Sequence, residues 1–135
     1  MNAKTVQKYK KYSTPKLIDI AQRHFNKYIR LRDAEKPCIS CGRRTTLQAG
    51  HYYPAGQYKL LRFDENNTFG ECVHCNYYSG DHLIKFRENM ITRIGEEAVE
   101  QLDRKAGISK RDNSKWDRFT LIEVIEKYKQ LNKLR

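Results

Sequence analysis

An α+β fold, with a metal-stapled centre flanked by helices at both ends, is what this sequence predicts. Three observations carry the prediction. Apolar residues recur at helical spacing near both ends of the chain, residues 38–75 lose that spacing, and the same aperiodic stretch holds all four cysteines as two Cys-x-x-Cys pairs. A hydrophobic fraction of 39% in 135 residues is thin for a self-sufficient core, so an external staple fits the composition. The chain divides into a basic N-terminal segment and helix (1–36), a metal-bound core (37–104), and a polar linker with a C-terminal amphipathic helix (105–135).

Residues 1–15 read as loose and end at Thr14-Pro15. From Lys16 the apolar positions Leu17, Ile20, Ala21, His24, Phe25, Tyr28, Ile29 and Leu31 follow helical spacing to about Ala34. Ser13 or Thr14 caps this helix, and Pro15 sits in its first turn, where a missing N–H costs nothing. Pro37 breaks the pattern, and two short strands with loops follow, joined through residues 54–59. Helical spacing returns after Asp81, with Leu83, Ile84, Phe86, Met90, Ile91 and Ile94 as its stripe and Gly95 as its C-cap. A short helix from Glu96 to Arg104 ends by Gly107, residues 109–115 form a polar linker, and Phe119 to Leu134 make the last amphipathic helix. There are no internal repeats.

The cysteine pairs are Cys38-x2-Cys41 and Cys72-x2-Cys75. Four thiolates from two knuckles are the closed tetrahedral set of a structural zinc, with no ligand position open for chemistry. Gly42, directly after the first pair, suits a knuckle because the chain must turn sharply there. Two disulfides or four free thiols are the other readings. Paired knuckles in a basic chain whose N-terminus lacks an apolar signal segment favour zinc and a reducing compartment. Residues 42–71, longer than a simple ribbon needs, are inserted between the knuckles.

A net charge of +11 selects polyanionic partners, and phosphate backbones are the commonest. Nine tyrosines accompany the basic excess, which strengthens nucleic acid over a merely solvated surface. No segment approaches the ~18–20 apolar residues of a membrane span. The expectation is therefore a cytoplasmic, DNA-binding protein with no membrane partner.

The insert and its end hold His51, Asn67 and Asn76. Singly, each has an ordinary reading: a surface histidine, a turn residue, a helix cap. Together they meet the needs of phosphodiester hydrolysis, which requires a general base for water and a cation to stabilise the pentavalent phosphate. A neutral histidine serves as the base near pH 7, an asparagine can hold its orientation, and amide or carboxylate oxygens suit Mg²⁺ or Mn²⁺.

Several motifs carry a family resemblance. These are Cys-x2-Cys-Gly, Ala49-Gly50-His51-Tyr52, Leu61-Arg62-Phe63-Asp64-Glu65-Asn66-Asn67, Cys72-Val73-His74-Cys75-Asn76, Tyr78-Ser79-Gly80 and Met90-Ile91-Thr92-Arg93-Ile94-Gly95. Over about residues 37–102 the chain resembles the phage NinG (Rap) recombination proteins, and more broadly the HNH, or His-Me finger, nucleases. The resemblance implies a zinc-stapled ββα-metal (HNH) finger. It also implies a phage- or prophage-encoded, structure-selective endonuclease acting in the bacterial host on branched DNA such as Holliday junctions and D-loops. Residue by residue, it makes His51 the general base, Asn67 the brace of the loop bearing that base, and Asn76 a ligand of the catalytic cation. Many HNH nucleases carry Asp or His just before the base as a metal ligand; here that position is Gly50. Asp81 is the substitute ligand expected, with His82 and Asp64 as further candidates. Where the resemblance reads Ser-Gly-Asn, this chain reads Ser79-Gly80-Asp81.

Tyr52, Tyr53, Tyr77 and Tyr78 flank the site, either packing a small core or stacking on unpaired bases. Symmetric cutting of a four-way junction needs two active sites, so a homodimer is expected, with the C-terminal helix either as its interface or packed on its own domain. Phage or host recombination proteins are further expected partners. The competing readings are a non-catalytic zinc-finger DNA-binding module and an adaptor for recombination or replication proteins.

Overall fold

The computed structural model describes residues 1–78 and 80–135, with Tyr78 described by its backbone only. The expectations placed on the Tyr78 ring and on Ser79 therefore lie outside the described residues. Among those residues the order is α1 (Ala3–Lys8), α2 (Thr14–Arg32), β1 (Leu47–His51), β2 (Thr68–Cys72), α3 (Val73–Tyr78), α4 (His82–Ile94), α5 (Glu96–Lys110) and α6 (Arg118–Lys133). Two 3-10 turns, Lys59–Leu61 and Glu65–Asn67, lie between the strands. No described helix is long and apolar enough to cross a membrane.

The chain forms two compact units that follow contacts rather than chain order. One comprises Met1–Tyr28 with Asn113–Arg135, and the other Ile29–Asp112. In the first unit, Phe25 and Tyr128 meet edge to face with ring centroids 5.1 Å apart, and Leu17, Ala21, Leu121 and Ile125 are buried. The C-terminal helix thus packs within its own chain. Asn132 Nδ2 donates to the His24 carbonyl at 3.1 Å, and Arg118 donates to the Tyr12 carbonyl at 2.7 Å. Residues 3–8, expected to be loose, are helical: Asn2 caps them by accepting from the Thr5 N–H at 2.9 Å. Helix α2 begins where the sequence suggests, with Ser13 Oγ accepting from the Lys16 N–H at 3.3 Å.

The second unit is built on an antiparallel hairpin in which Leu47 pairs with Cys72, Gln48 with Glu71, Ala49 with Gly70, Gly50 with Phe69 and His51 with Thr68. Directly opposed residues share a face. Phe69 therefore sits on the Gln48–Gly50–Glu71 face, where Phe86 of α4 meets it edge to face at 6.0 Å. Ile39, Leu61, Met90, Val99, Leu102 and Ala106 complete this core, and Tyr52, Tyr53 and Tyr58 pack against it. The end of α2 is tied to β2 by two side chains. Arg32 donates to the Thr68 carbonyl at 2.7 Å and to Asp33 Oδ1 at 2.8 Å, while Asp33 Oδ2 accepts from the Gly70 N–H at 2.8 Å. Burial opposes the Asp33 carboxylate, but these bonds outweigh it and hold its pKa below the ordinary value.

Helix α5 corrects the expectation of a short helix ended by Gly107, since it runs on to Lys110. Tertiary contact explains the extension. Ala106 and Ser109 are buried, and Ser109 Oγ accepts from the Leu60 N–H at 2.9 Å. That contact overrides the weak helix propensity of one glycine. Residues 109–110 consequently belong to the helix rather than to a linker. Gly95 does end α4, with its N–H returning to the Ile91 carbonyl at 2.8 Å.

Candidate functional site

The Sγ atoms of Cys38, Cys41, Cys72 and Cys75 lie within 4.8 Å of one another. A tetrahedral zinc with Zn–S of ~2.3 Å needs S···S separations of roughly 3.8 Å, and Cys41 Sγ and Cys72 Sγ stand 3.8 Å apart. The cluster can therefore hold a metal ion such as zinc. The first knuckle closes through the Gly42 N–H on the Cys38 carbonyl at 3.0 Å, with Gly42 at a φ of +78°, which a side-chain-bearing residue adopts reluctantly. Burial disfavours the Cys38 thiolate, yet the backbone N–H groups of Cys41, Cys72 and Ser40 point at its sulfur and lower its pKa overall. Burial raises the pKa of Cys41 and Cys75; at Cys41 a backbone N–H from Arg43 works against the rise, and at Cys75 the neighbouring cysteine sulfurs add to it. A cation amid four sulfurs would reverse that penalty.

His51 ends β1. Its Nε2 lies 3.1 Å from the Arg62 carbonyl oxygen. A carbonyl only accepts, so Nε2 carries the proton and Nδ1 carries the lone pair. Burial lowers the His51 pKa, the bond to the Arg62 carbonyl works against that, and the Arg62 charge adds to the lowering. The ring is thus neutral at pH 7 and able to accept a proton.

Asn67 is fully buried beneath the turn that follows His51. Its Oδ1 accepts from the Tyr53 N–H at 2.9 Å, and its Nδ2 donates to the carbonyls of Tyr53 at 3.0 Å and Leu61 at 3.2 Å. Its own carbonyl accepts from the Tyr52 N–H at 2.8 Å. One side chain thereby joins the segment after β1 to the segment that supplies the carbonyl for His51.

Asn76 of α3 is placed elsewhere. Its Nδ2 donates to Gln48 Oε1 at 3.2 Å. Strand alternation puts Gln48 on the face opposite His51. The same face carries Glu71, which has no accessible surface, and whose Oε2 accepts from Ser40 Oγ at 2.5 Å and from His82 Nδ1 at 2.6 Å. Asp81 is exposed just before α4 and lines an open groove of about 490 Å³ together with Ser40, Cys75 and His82. Asp64 caps the second 3-10 turn, accepting from the Asn66 N–H at 2.9 Å, and pairs with Lys105 at 2.8 Å.

The aromatic residues divide. Tyr52 and Tyr53 stack edge to face at 4.9 Å, the Tyr53 hydroxyl bonds Asp103, and Asp103 pairs with Arg87 at 2.6 Å. Those two rings are packing residues. Tyr77 is 67% exposed. In the unit formed by the first and last helices, a groove of about 280 Å³ is lined by Lys8, Lys11, Arg23, His24, Lys129 and Tyr12, among others. The neighbouring Lys8 and burial lower the Lys129 pKa, and burial with Lys129 and Arg23 lowers that of His24. Lys8 and Lys129 share the Glu126 carboxylate at 3.6 and 3.8 Å, and the lining keeps an excess of positive charge, which suits an anion.

Sequence reasoning missed Glu71, Ser40, Gln48 and the Arg62 carbonyl. A glutamate in the middle of a strand, one residue before a metal knuckle, was the available signal, since β-strands are depleted in Glu.

The family model described as "Bacteriophage Lambda NinG protein" matches residues 2–135. Among curated proteins, the chain is 38% identical to "Protein ninG" of Escherichia phage 933W over 112 residues, which is 82% of this chain and 53% of that protein. It is 44% identical to "Protein ninG" of Escherichia phage lambda over 85 residues, 62% of this chain and 42% of that protein. The same identity and coverage hold for "Protein ninG" of Salmonella phage P22. The chain thus spans about half the length of the curated relatives it matches. No solved structure matches it.

Proposed function

The chain belongs to the NinG family of bacteriophage proteins, and from that premise we propose that it is a divalent-metal-dependent endonuclease of the HNH type, acting on branched DNA inside the host cell. The observation that carries the proposal is the setting of His51. Its tautomer is set by the Arg62 carbonyl, its pKa is lowered by burial, and the adjoining turn is clamped by Asn67. A histidine that merely decorates the surface needs none of these. In this reading Nδ1 of His51 takes the proton of the attacking water, and Asn67 keeps the ring aimed by holding the turns on either side. A bound Mg²⁺ or Mn²⁺ supplies charge stabilisation for the pentavalent phosphate. The four cysteines hold a structural zinc, whose binding energy adds to that of the hairpin's own Phe69–Phe86 core. The net charge of +11 and the cation-rich groove of Lys8, Lys11, Arg23 and Lys129 bind DNA phosphates.

Incubation of a four-way junction and a matched linear duplex with the protein, in Mg²⁺ or Mn²⁺, tests the reading. The junction should be cut, and His51→Ala should bind it without cutting. A His51→Ala protein that cuts as fast as the parent sinks the nuclease assignment. A parent that binds DNA but cuts nothing leaves the silent zinc-finger module as the function.

A further inference from the structure

We propose that Glu71 is the carboxylate ligand of the divalent cation, taking the place that Gly50 leaves vacant, with Asn76 beside it. The assignment rests on the nuclease reading for its purpose but on geometry for its substance. A Cβ built on Gly50 would overlap the Glu71 carboxylate and lie 2.9 Å from Glu71 Cβ. The carboxylate therefore occupies the space that a side chain at position 50, next to His51, would use. It reaches that space from the opposite strand rather than from the residue before the base.

The carboxylate is held on one side only. Oε2 accepts from both Ser40 Oγ and His82 Nδ1, at 2.5 and 2.6 Å. Oε1 is buried and has no hydrogen-bond partner among the described residues. A buried carboxylate oxygen without a donor is costly and rare, and an ion is one of its ordinary explanations. Two donors on one oxygen fix the plane of the group and leave the other oxygen to a cation, as hydrogen-bonded carboxylate ligands generally are. Asn76 belongs to the same face, because it is bonded to Gln48 and Gln48 is the cross-strand partner of Glu71. One carboxylate and one amide, with water completing the shell, suit a hard cation such as Mg²⁺ or Mn²⁺. Ser40 and His82 are positioning residues here, and the acidic ligand moves from the exposed Asp81 to Glu71.

Direct binding of Mn²⁺ to the zinc-loaded protein, read by the loss of the free-ion electron paramagnetic resonance signal, tests the site without DNA or turnover. One Mn²⁺ per chain should bind beyond the zinc, Glu71→Gln should weaken it at least tenfold, and His51→Ala should leave it unchanged. Zinc content and circular dichroism are measured on each variant. If Glu71→Gln fails to fold, Gly50→Asp/Glu71→Ala, which moves the carboxylate to the other strand, should recover much of the affinity. Broadening of parent resonances by trace Mn²⁺ gives a readout that needs no variant. It should centre on the Glu71 amide and the His82 ring. Mn²⁺ binding unaltered by Glu71→Gln, or broadening centred elsewhere or absent, overturns the assignment. A parent that cuts junctions while any of these results holds keeps the nuclease reading and loses only Glu71. A parent that binds Mn²⁺ at Glu71 yet never cuts keeps the site and loses the nuclease reading.

Discussion

Replacing Asn67 with aspartate changes one atom type and should nonetheless be among the most damaging substitutions in the Ile29–Asp112 unit. Asn67 is fully buried and makes three hydrogen bonds through its side chain. An aspartate keeps the acceptor for the Tyr53 N–H but turns an oxygen toward the carbonyls of Tyr53 and Leu61. Two donor bonds are lost at ~1 kcal/mol each, and buried acceptors then face one another at a further cost of about 1–3 kcal/mol. The expected loss is ~3–5 kcal/mol at neutral pH, or roughly 12–40 °C in Tm at 4–8 °C per kcal/mol. Asn67→Ala should cost somewhat less, because it introduces no opposed acceptor. The penalty in Asn67→Asp should also depend on pH. With an acceptor-only environment on one side, the folded state favours the protonated acid, so the pKa of residue 67 is raised on folding. Stability is then greatest below the unfolded aspartate pKa of ~3.9 and is lost as pH rises through the higher folded value. Urea unfolding of zinc-loaded parent and variant at two pH values measures both effects. An Asn67→Asp protein as stable as the parent at pH 7 would refute the bracing role assigned to this amide.

Three further outcomes follow from the same structure. Purified protein should contain one zinc per chain, and chelation or Cys72→Ala should unfold the Ile29–Asp112 unit; full thermal stability after metal removal, or disulfides in the native protein, would contradict this. The acid limb of the cleavage profile should have its midpoint below the ordinary histidine value of 6.5, because burial lowers the His51 pKa, and stability should fall as pH drops from 6.5 through that lowered value, since the unfolded chain then binds the extra proton; an acid limb centred above 6.5 would exclude His51 as the base. DNA affinity should fall steeply with salt, and Arg23→Ala should reduce the slope of log K against log salt by about 1 if its groove contacts phosphate, whereas an unchanged slope would remove that groove from the interface.

Helices α2, α4 and α6, the cysteine site and the family were legible in the sequence because each depends on local pattern. Period-3.6 apolar residues at Leu17 to Phe25 need no knowledge of the fold, and two Cys-x-x-Cys pairs announce four ligands at fixed spacing. Gly95 was readable as a helix end for the same reason, while Gly107 was misread because the burial of Ala106 and Ser109 is a tertiary fact. The location of His51 and Asn67 in the insert was likewise readable from motif. What fixes the His51 tautomer was not, since the partner is the backbone carbonyl of Arg62, and every residue has one.

Chain order also concealed the division of the molecule, in which the first and last segments form one unit and Ile29–Asp112 the other. Pairing between distant segments depends on which apolar faces meet, and sequence alone specifies the faces but not their partners. The hairpin register decided the rest. Setting Gln48 opposite Glu71 and Gly50 opposite Phe69 puts Asn76, Gln48 and Glu71 on one face and His51 on the other. A one-residue slip of β2 would have moved Glu71 to the face of His51, whereas Gln48 and His51, three apart in β1, face opposite ways in any register. The amino acids available to the site were therefore determined by the sequence, and which of them stand together was determined by the register of two five-residue strands.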